Sequence, residues 1–404
     1  MSKAFLLSCF ACDPDSGSEP YVGWNWASEV YAGQRRVVLT RRHHLEALRG
    51  RGDAYLSFRF FDLPGFASLD HRHRLMKLYY LVWQVCVLPY AALIVARERL
   101  THVHHITYNA VDFPGLLWII PFTRFLWGPA GGGQTPPEAL AAYYGEAWAG
   151  QRWRAWMKEA LPFNPFVRLG LRRARIVLAA NRETEARLAA LTQPGKVRRM
   201  LETAVDAAAI APGPRRPHAP LRVIWVGRFE SRKAPRLLID IARHLMDAHP
   251  GLFRFVMVGG GPLLDEARAA AVDLPNIDIL GELPFAEMRA AYDAADVLAF
   301  TSLQDTSGNV VLEALSAGMP VVALDHQGAA EILAQGGGIL VPVQPPAGTV
   351  ADFSEALRRL TNPDLFHEVS AMALQNMAET CSWQRKAAEW RRLLEEIDRC
   401  QRSG

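Results

Sequence analysis

Two carboxylates lie eight positions apart in the last third of this 404-residue chain, Asp305 and Glu313, in the run Asp-Thr-Ser-Gly-Asn-Val-Val-Leu-Glu. A small polar loop follows the first. A helix-forming run carries the second, until Gly318 and Pro320 stop it before Val321-Val322. A loop entering a helix leaves backbone N–H groups unpaired and presents the positive end of the helix dipole, which suits a phosphate. Ser307, Gly308, Asn309 and Val310 are placed to supply those N–H groups. A carboxylate accepts hydrogen bonds from sugar hydroxyls. Glu313 is therefore read as a ribose contact and Asp305 as a contact to a second sugar. Phosphate beside sugar hydroxyls is the chemistry of a nucleotide-sugar.

Two further loops carry matching chemistry. Val226-Gly227-Arg228-Phe229-Glu230-Ser231-Arg232-Lys233 follows an apolar run. Gly227 permits a turn at a strand's C-terminal end, where open α/β sheets bind ligands. Arg228 as a forked donor and Lys233 as a point charge can converge on a diphosphate. Val258-Gly259-Gly260-Gly261-Pro262 follows the next apolar run. Gly260 and Gly261 admit close backbone approach to a ligand, and Pro262 suits a first helical turn. Leu263-Leu264 follow directly, so this is not a Gly-x-Gly-x-x-Gly dinucleotide loop. Each loop alone is compatible with an ordinary βα turn. All three in order, each just after a strand, argue for one shared site.

These loops need parallel sheets to hold them, and strand candidates do alternate with helix-length segments, as in α/β proteins. The first half offers strands at 4–9, 36–40, 103–107, 125–128 and 176–180, with helices at 23–32, 75–99 and 182–190. The prolines of 207–220 cannot continue a helix or a central strand, so an interdomain linker is expected there. It separates a domain at 1–206 from a second at 221–382. The second domain's strands are expected at 221–226, 253–258, 277–280, 297–300, 321–323 and 338–341, and a charged amphipathic helix at 383–402.

At this point the chain resembles a known family. Gly-Arg-Phe-x-x-x-Lys, Val-Gly-Gly-Gly-Pro, the carboxylate–seven–Glu spacing and Glu-Ala-Leu-Ser-Ala-Gly-Met-Pro-Val-Val look like the nucleotide-binding domain of family-4 retaining glycosyltransferases, the glycosyl transferases group 1, of GT-B fold. The resemblance implies two Rossmann-like domains with parallel sheets facing across a cleft, and a last helix crossing back to the first domain. It implies a nucleoside-diphosphate sugar on the second domain, with UDP, GDP and ADP all open, an acceptor on the first, and no required cofactor or metal. Arg228 and Lys233 would stabilise the leaving diphosphate. In one respect the chain departs from the pattern: the family has Glu where Asp305 stands.

The same resemblance extends to the first domain. Gly17, Ser18 and Glu19, in Gly-Ser-Glu-Pro…Gly-Trp-Asn-Trp, sit where relatives carry a loop at the cleft, Gly17 towards the donor and Ser18 and Glu19 towards the acceptor. Relatives place a functional His at the end of the strand that here reads Thr-His-Val-His-His-Ile-Thr. Neighbouring strand residues point to opposite faces, so His104 and His105 differ in role. His105, nearer the strand's end, is taken as the catalytic one and His104 as acceptor-side. Gly132 and Gly133 are expected to face the acceptor. A nucleotide-sugar epimerase of the same fold, or a non-catalytic binding relative, fits the same donor motifs.

Charge is uneven. Residues 1–200 carry 26 Lys and Arg against 15 Asp and Glu, whereas the remainder carries 19 against 26. A basic half implies an anionic partner. Arg35, Arg36, Arg41 and Arg42 form one cluster and Arg172, Arg173 and Arg175 another. The apolar segment 78–96 has near-spanning length but contains Gln84 and Pro89. It reads as a buried or interfacial helix, with Tyr79, Tyr80 and Trp83 suited to an anionic membrane surface. The acceptor is then expected to be a glycan or glycolipid, with a soluble natural-product acceptor left open, and the expected location is the cytoplasm, either free or at the inner face of the cell membrane. No zinc-finger spacing or RNA-binding motif points to nucleic acid. Cys9 and Cys12 have Cys-x-x-Cys spacing without the second pair a metal site needs.

Overall fold

Runs of apolar residues with both faces covered become the central strands of parallel sheets. The computed structural model describes residues 3–66 and 75–399, which form two compact units. The first unit comprises Met1–Gly133, Lys158–Thr203 and Trp383–Gly404; the second comprises Gln134–Met157 and Ala204–Ser382. The last three residues of the expected terminal helix, together with the end of the chain, lie outside the described residues.

The first unit holds β1 (Ala4–Ser8), β2 (Arg35–Thr40), β3 (Leu56–Phe60), β4 (His102–His105), β5 (Arg124–Ala130), β6 (Ala174–Ala179) and β7 (Val197–Arg199). They form one parallel sheet in the order β3-β2-β1-β4-β5-β6-β7. The second unit holds β8 (Leu221–Val226), β9 (Phe253–Val258), β10 (Ile277–Gly281), β11 (Val297–Phe300), β12 (Val321–Leu324) and β13 (Gly338–Val341). Their order is β10-β9-β8-β11-β12-β13, again parallel. Both are doubly wound sheets, with strand order reversing at β1/β4 and at β8/β11. Ligands bind outside the carboxyl ends of strands at such points.

Two strands escape the sequence reading. Strand β3, Leu-Ser-Phe-Arg-Phe, is half-buried on the sheet edge, and β7 has two exposed arginines in three residues. Neither has the apolar run that marks a central strand. The helix expected at 23–32 begins earlier, as Glu19–Asn25 with Pro20 in its first turn, and continues through a π-helical turn to Val30.

The chain enters the second unit twice. In the first passage, Gln134–Met157, Leu140 and Tyr144 are buried in the second unit's core beside Trp225, Leu237 and Phe353, and the Tyr143 hydroxyl donates to Asp240 at 3.0 Å. The proline-rich stretch expected as a linker is also pinned to that unit. Ala211 N–H donates to Ser316 O, Arg215 N–H to Ser370 Oγ, and His218 bonds Asp296 at 2.6 Å.

The last described helix, Trp383–Arg399, belongs to the first unit. Trp390 is fully buried, stacks on His104 with centroids 5.1 Å apart, and meets Trp26 and Tyr31 edge-on at 5.8 Å. Trp390→Ala empties that aromatic box and is expected to lower stability by about 3–5 kcal/mol. Urea unfolding followed by tryptophan fluorescence reads this; an unchanged midpoint would refute the role given to the box.

Candidate functional site

In the second unit, the loops after β8, β9 and β11 interlock. Gly227 N–H donates to Val258 O, and Phe229 N–H to Gly260 O at 2.9 Å. A Cβ on Gly259 would lie 1.9 Å from Gly227 O, and one on Gly261 would lie 2.7 Å from Phe229 O. The three-glycine turn is thus first a device for backbone-on-backbone packing, which no larger residue permits. Gly260 lies between them, with Glu282 the nearest side chain.

Lys233 and Asp305 form an ion pair between the β8 and β11 loops, both side chains largely buried. The ammonium also sits 5.4 Å from the Phe300 ring centroid. Phe300 ends β11, and Gly308 packs on the same ring. Arg228 stays exposed and donates to Glu230 at 2.5 Å, and Arg232 donates to the other oxygen of Glu230 at 2.9 Å. Burial draws the Glu230 pKa upward, but the Arg228 hydrogen bond and the nearby Arg232 charge outweigh it and hold the carboxyl below its usual range. The two cations read as converging on a diphosphate are therefore each matched to a carboxylate, and an arriving anion would compete with those carboxylates.

The helix carrying the second carboxylate runs Asn309–Ser316, with Gly308 at its start in the left-handed region, φ 77°. The first amides of a helix lack intrahelical partners, so those of Asn309 and Val310 are presented at this end, beside the buried Ser307. The Asn309 carboxamide oxygen is buried without a hydrogen-bond partner. Glu313 is exposed, yet protein crowds its carboxylate, and this desolvation raises its pKa against the opposing hydrogen bond from Tyr292, whose hydroxyl donates to Oε2 at 2.8 Å. Nothing in the sequence around Tyr292 marks it, because it comes from the helix Phe285–Asp293 before β11.

Gln327 is the second residue the sequence did not reveal. It lies after β12 at φ 56°, a strained conformation for a side chain with a Cβ. Its Oε1 accepts from Asp305 N–H at 2.9 Å, and its Nε2 donates to Thr135 O at 3.0 Å and Leu303 O at 3.3 Å. Gln134 Nε2 donates to Thr306 Oγ1 at 3.0 Å. The first passage of the chain into this unit thereby braces the Asp305 loop. Gly328 sits against the same loop; a Cβ there would be 2.3 Å from Thr306 O.

In the first unit, His104 and His105 depart from their expected roles. His104 is fully buried, with Nδ1 bonded to the Tyr31 hydroxyl at 2.8 Å and Nε2 to Gly128 O at 2.7 Å. His105 is equally buried, bonded to the Tyr80 hydroxyl at 2.8 Å and to Ser8 Oγ at 3.3 Å. Both rings are sealed structural elements, because β4 is a central strand covered on both faces. Gly133 is likewise a packing glycine: a Cβ would strike Thr184 at 2.6 Å, and its carbonyl accepts from Arg187. Gly132 and Gly17 face open space. Ser18 is exposed at φ 61° and begins the helix that Glu19 enters. Burial raises the Glu19 carboxyl to about 7 although Tyr108 N–H donates to it. Such a group can accept or release a proton near neutrality.

Residues 220–362 match the family model described as Glycosyl transferases group 1. That stretch of the second unit is similar to the family. It is 30% identical over 188 residues to a D-inositol 3-phosphate glycosyltransferase of Corynebacterium jeikeium, covering 43% of each chain. It is also 30% identical over 167 residues to the sulfoquinovosyl transferase SQD2 of Arabidopsis thaliana, covering 41% of this chain and 31% of that one. The matches thus span less than half the length of these relatives. Among solved structures, sucrose-phosphate synthase from Thermosynechococcus elongatus aligns over 98% of this chain and 100% of its own, with TM-score 0.66 and 16% identity. Anabaena HepE in complex with UDP and glucose aligns over 97% and 99%, with TM-score 0.59 and 14% identity. The fold is GT-B.

Two outcomes test this description. Gln327→Ala leaves one amide and two carbonyls unpaired, so the second unit should lose about 1–3 kcal/mol and the Asp305 amide should exchange faster in hydrogen–deuterium exchange. Unchanged protection would remove Gln327 from the bracing role. Burial lowers His104 and His105 to about 3, whereas the unfolded side chains bind protons near 6.5. Stability present above about pH 6.5 should therefore be lost as pH falls towards 3, by up to about 1.4 kcal/mol per pH unit for each histidine. Urea midpoints between pH 7.5 and pH 5 measure the slope, and His105→Gln should flatten it.

Proposed function

We propose that the chain is a retaining family-4 glycosyltransferase that moves a sugar from a nucleoside-diphosphate sugar to an acceptor hydroxyl. The observation that carries this reading is the convergence of Lys233, Asp305, the Asn309 helix start and Glu313 around β8 and β11, at the switch point of the second sheet. The diphosphate engages Lys233, Arg228 and the amides near Gly308, and the ribose hydroxyls bond Glu313, which Tyr292 orients. Asp305 is the side chain nearest the transferred sugar.

In the reaction, the bond from the sugar's anomeric carbon to the diphosphate oxygen breaks, and its electron pair leaves with the diphosphate. The acceptor oxygen bonds to that carbon and gives up its proton. Once the diphosphate competes with their carboxylate partners, Lys233 and Arg228, together with the amides near Gly308, stabilise the charge that develops on the leaving group. On the first unit, Glu19 is the proposed acceptor-side group, with a pKa matched to proton transfer near neutrality. The acceptor is a glycan or glycolipid, and the place of action is the cytoplasmic side of the cell membrane. HepE holds UDP, which makes UDP-sugars the first donors to test.

A thermal-shift series with UDP-, GDP- and ADP-sugars should give one donor that stabilises the protein. With that donor, Lys233→Ala and Arg228→Ala should each lower turnover by about 100-fold or more while circular dichroism stays unchanged. A double variant that keeps wild-type turnover would sink the assignment.

A further inference from the structure

The long helix of the first unit has one face too many for a helix simply packed on a sheet. Met76–Glu98 buries Tyr80, Trp83, Val87 and Ala91 in the unit's core, and the Trp83 indole donates to Phe61 O at 2.9 Å. Those aromatics, expected at an interface, are committed inward. The opposite face is also apolar. Leu78, Leu81, Val82 and Val85 recur at spacings of three or four residues, Leu93 follows eight residues on, and Leu78 and Val85 are 62% and 60% exposed. No charged residue interrupts 78–96. A surface helix ordinarily turns its polar side to water, so among the described residues this outer face lacks its cover.

A second apolar edge lies beside it. The half-buried Phe113 packs edge-on against Tyr80 of the long helix at 6.0 Å and against Phe166 at 5.8 Å. Phe166 and Leu169 are exposed on the helix Pro165–Arg173, and Phe163, just before it, is 82% exposed. That helix carries Arg168, Arg172 and Arg173, all exposed, and no acidic residue. The other basic cluster of the sequence does not contribute in this way. Arg36 and Arg41 are buried, donating to Ala27 O at 2.6 Å and to Asp62 at 3.0 Å.

We infer that the outer face of Met76–Glu98, together with the Phe163–Leu169 edge, docks on an anionic lipid bilayer surface. Exposed apolar side chains beside exposed arginines match what such a surface offers, hydrocarbon below and phosphate at head-group level. Among the described residues this is the one helix long and apolar enough to cross a membrane, but its inner face is hydrogen-bonded and packed into the sheet's core, so it lies on the bilayer and does not span it. A second copy is the poorer occupant. A symmetric contact through this face would bring the same arginines towards one another. The inference concerns the first unit alone and stands or falls apart from the donor assignment.

The test is flotation of the full chain with vesicles of phosphatidylcholine alone and of phosphatidylcholine with phosphatidylglycerol. The wild type should float with the anionic vesicles and less with the neutral ones. Val82→Glu with Val85→Glu should lower the bound fraction about tenfold or more, as should Arg168→Glu with Arg172→Glu. Both pairs are exposed, so folding should persist, which circular dichroism checks. A wild type that stays with the soluble fraction overturns the inference. So does a wild-type dimer in analytical ultracentrifugation that Val82→Glu with Val85→Glu converts to monomer.

Discussion

Parallel pairing of β8 with β9 on one side and β11 on the other is the constraint on which the candidate site depends. Parallel strands all end at the same edge, so the loops after β8, β9 and β11 emerge side by side although 226, 258 and 300 are far apart in sequence. The reversal of strand order at β8/β11 parts the connecting helices to opposite faces and opens the edge there. Lys233 and Asp305 meet because of this geometry, and the Asn309 helix start is aimed at the same place. Without the parallel register the motifs would be scattered loops.

Rigidity at that edge comes from backbone contact more than from side chains. Gly259 and Gly261 let one loop lie directly on another, and Gly328 lets a third approach Thr306. Gln327 then ties three elements with one carboxamide at the cost of a strained backbone angle. A non-glycine residue in that region costs of order 1–3 kcal/mol and persists where surroundings compensate; the three hydrogen bonds of Gln327 are that compensation. The passage Gln134–Met157 serves the same end, since Leu140 and Tyr144 anchor it in the second unit's core while Gln134 and Thr135 reach the Asp305 loop.

The first unit uses its polar and aromatic residues differently. Its histidines satisfy one another's neighbours inside the sheet: Tyr31 and Gly128 for His104, Tyr80 and Ser8 for His105. Burial without charge is tolerable because every ring nitrogen has a partner. The same unit leaves apolar surface outside, on Met76–Glu98, with arginines nearby. Interior polarity and exterior apolarity in one domain invert the usual arrangement, and each half of the inversion has its own physical account.

The sequence by itself determined the class of fold and the donor-side motif set. Apolar runs alternating with helical segments dictate parallel sheets, and Gly227, Lys233, Asp305 and Glu313 follow their strands at spacings local enough to be read along the chain. Strands β3 and β7 were illegible because edge strands need no apolar run. Tertiary structure alone decided the rest. Periodicity places His104 and His105 on opposite faces but does not say that both faces are covered. It shows that 78–96 is apolar throughout but not which side packs inward. Tyr292, Gln327 and Gln134 carry no local signal, because their partners lie 21, 22 and 172 residues away. Pairings at such separations are set by how sheets and loops close in space, and no spacing along the chain encodes them.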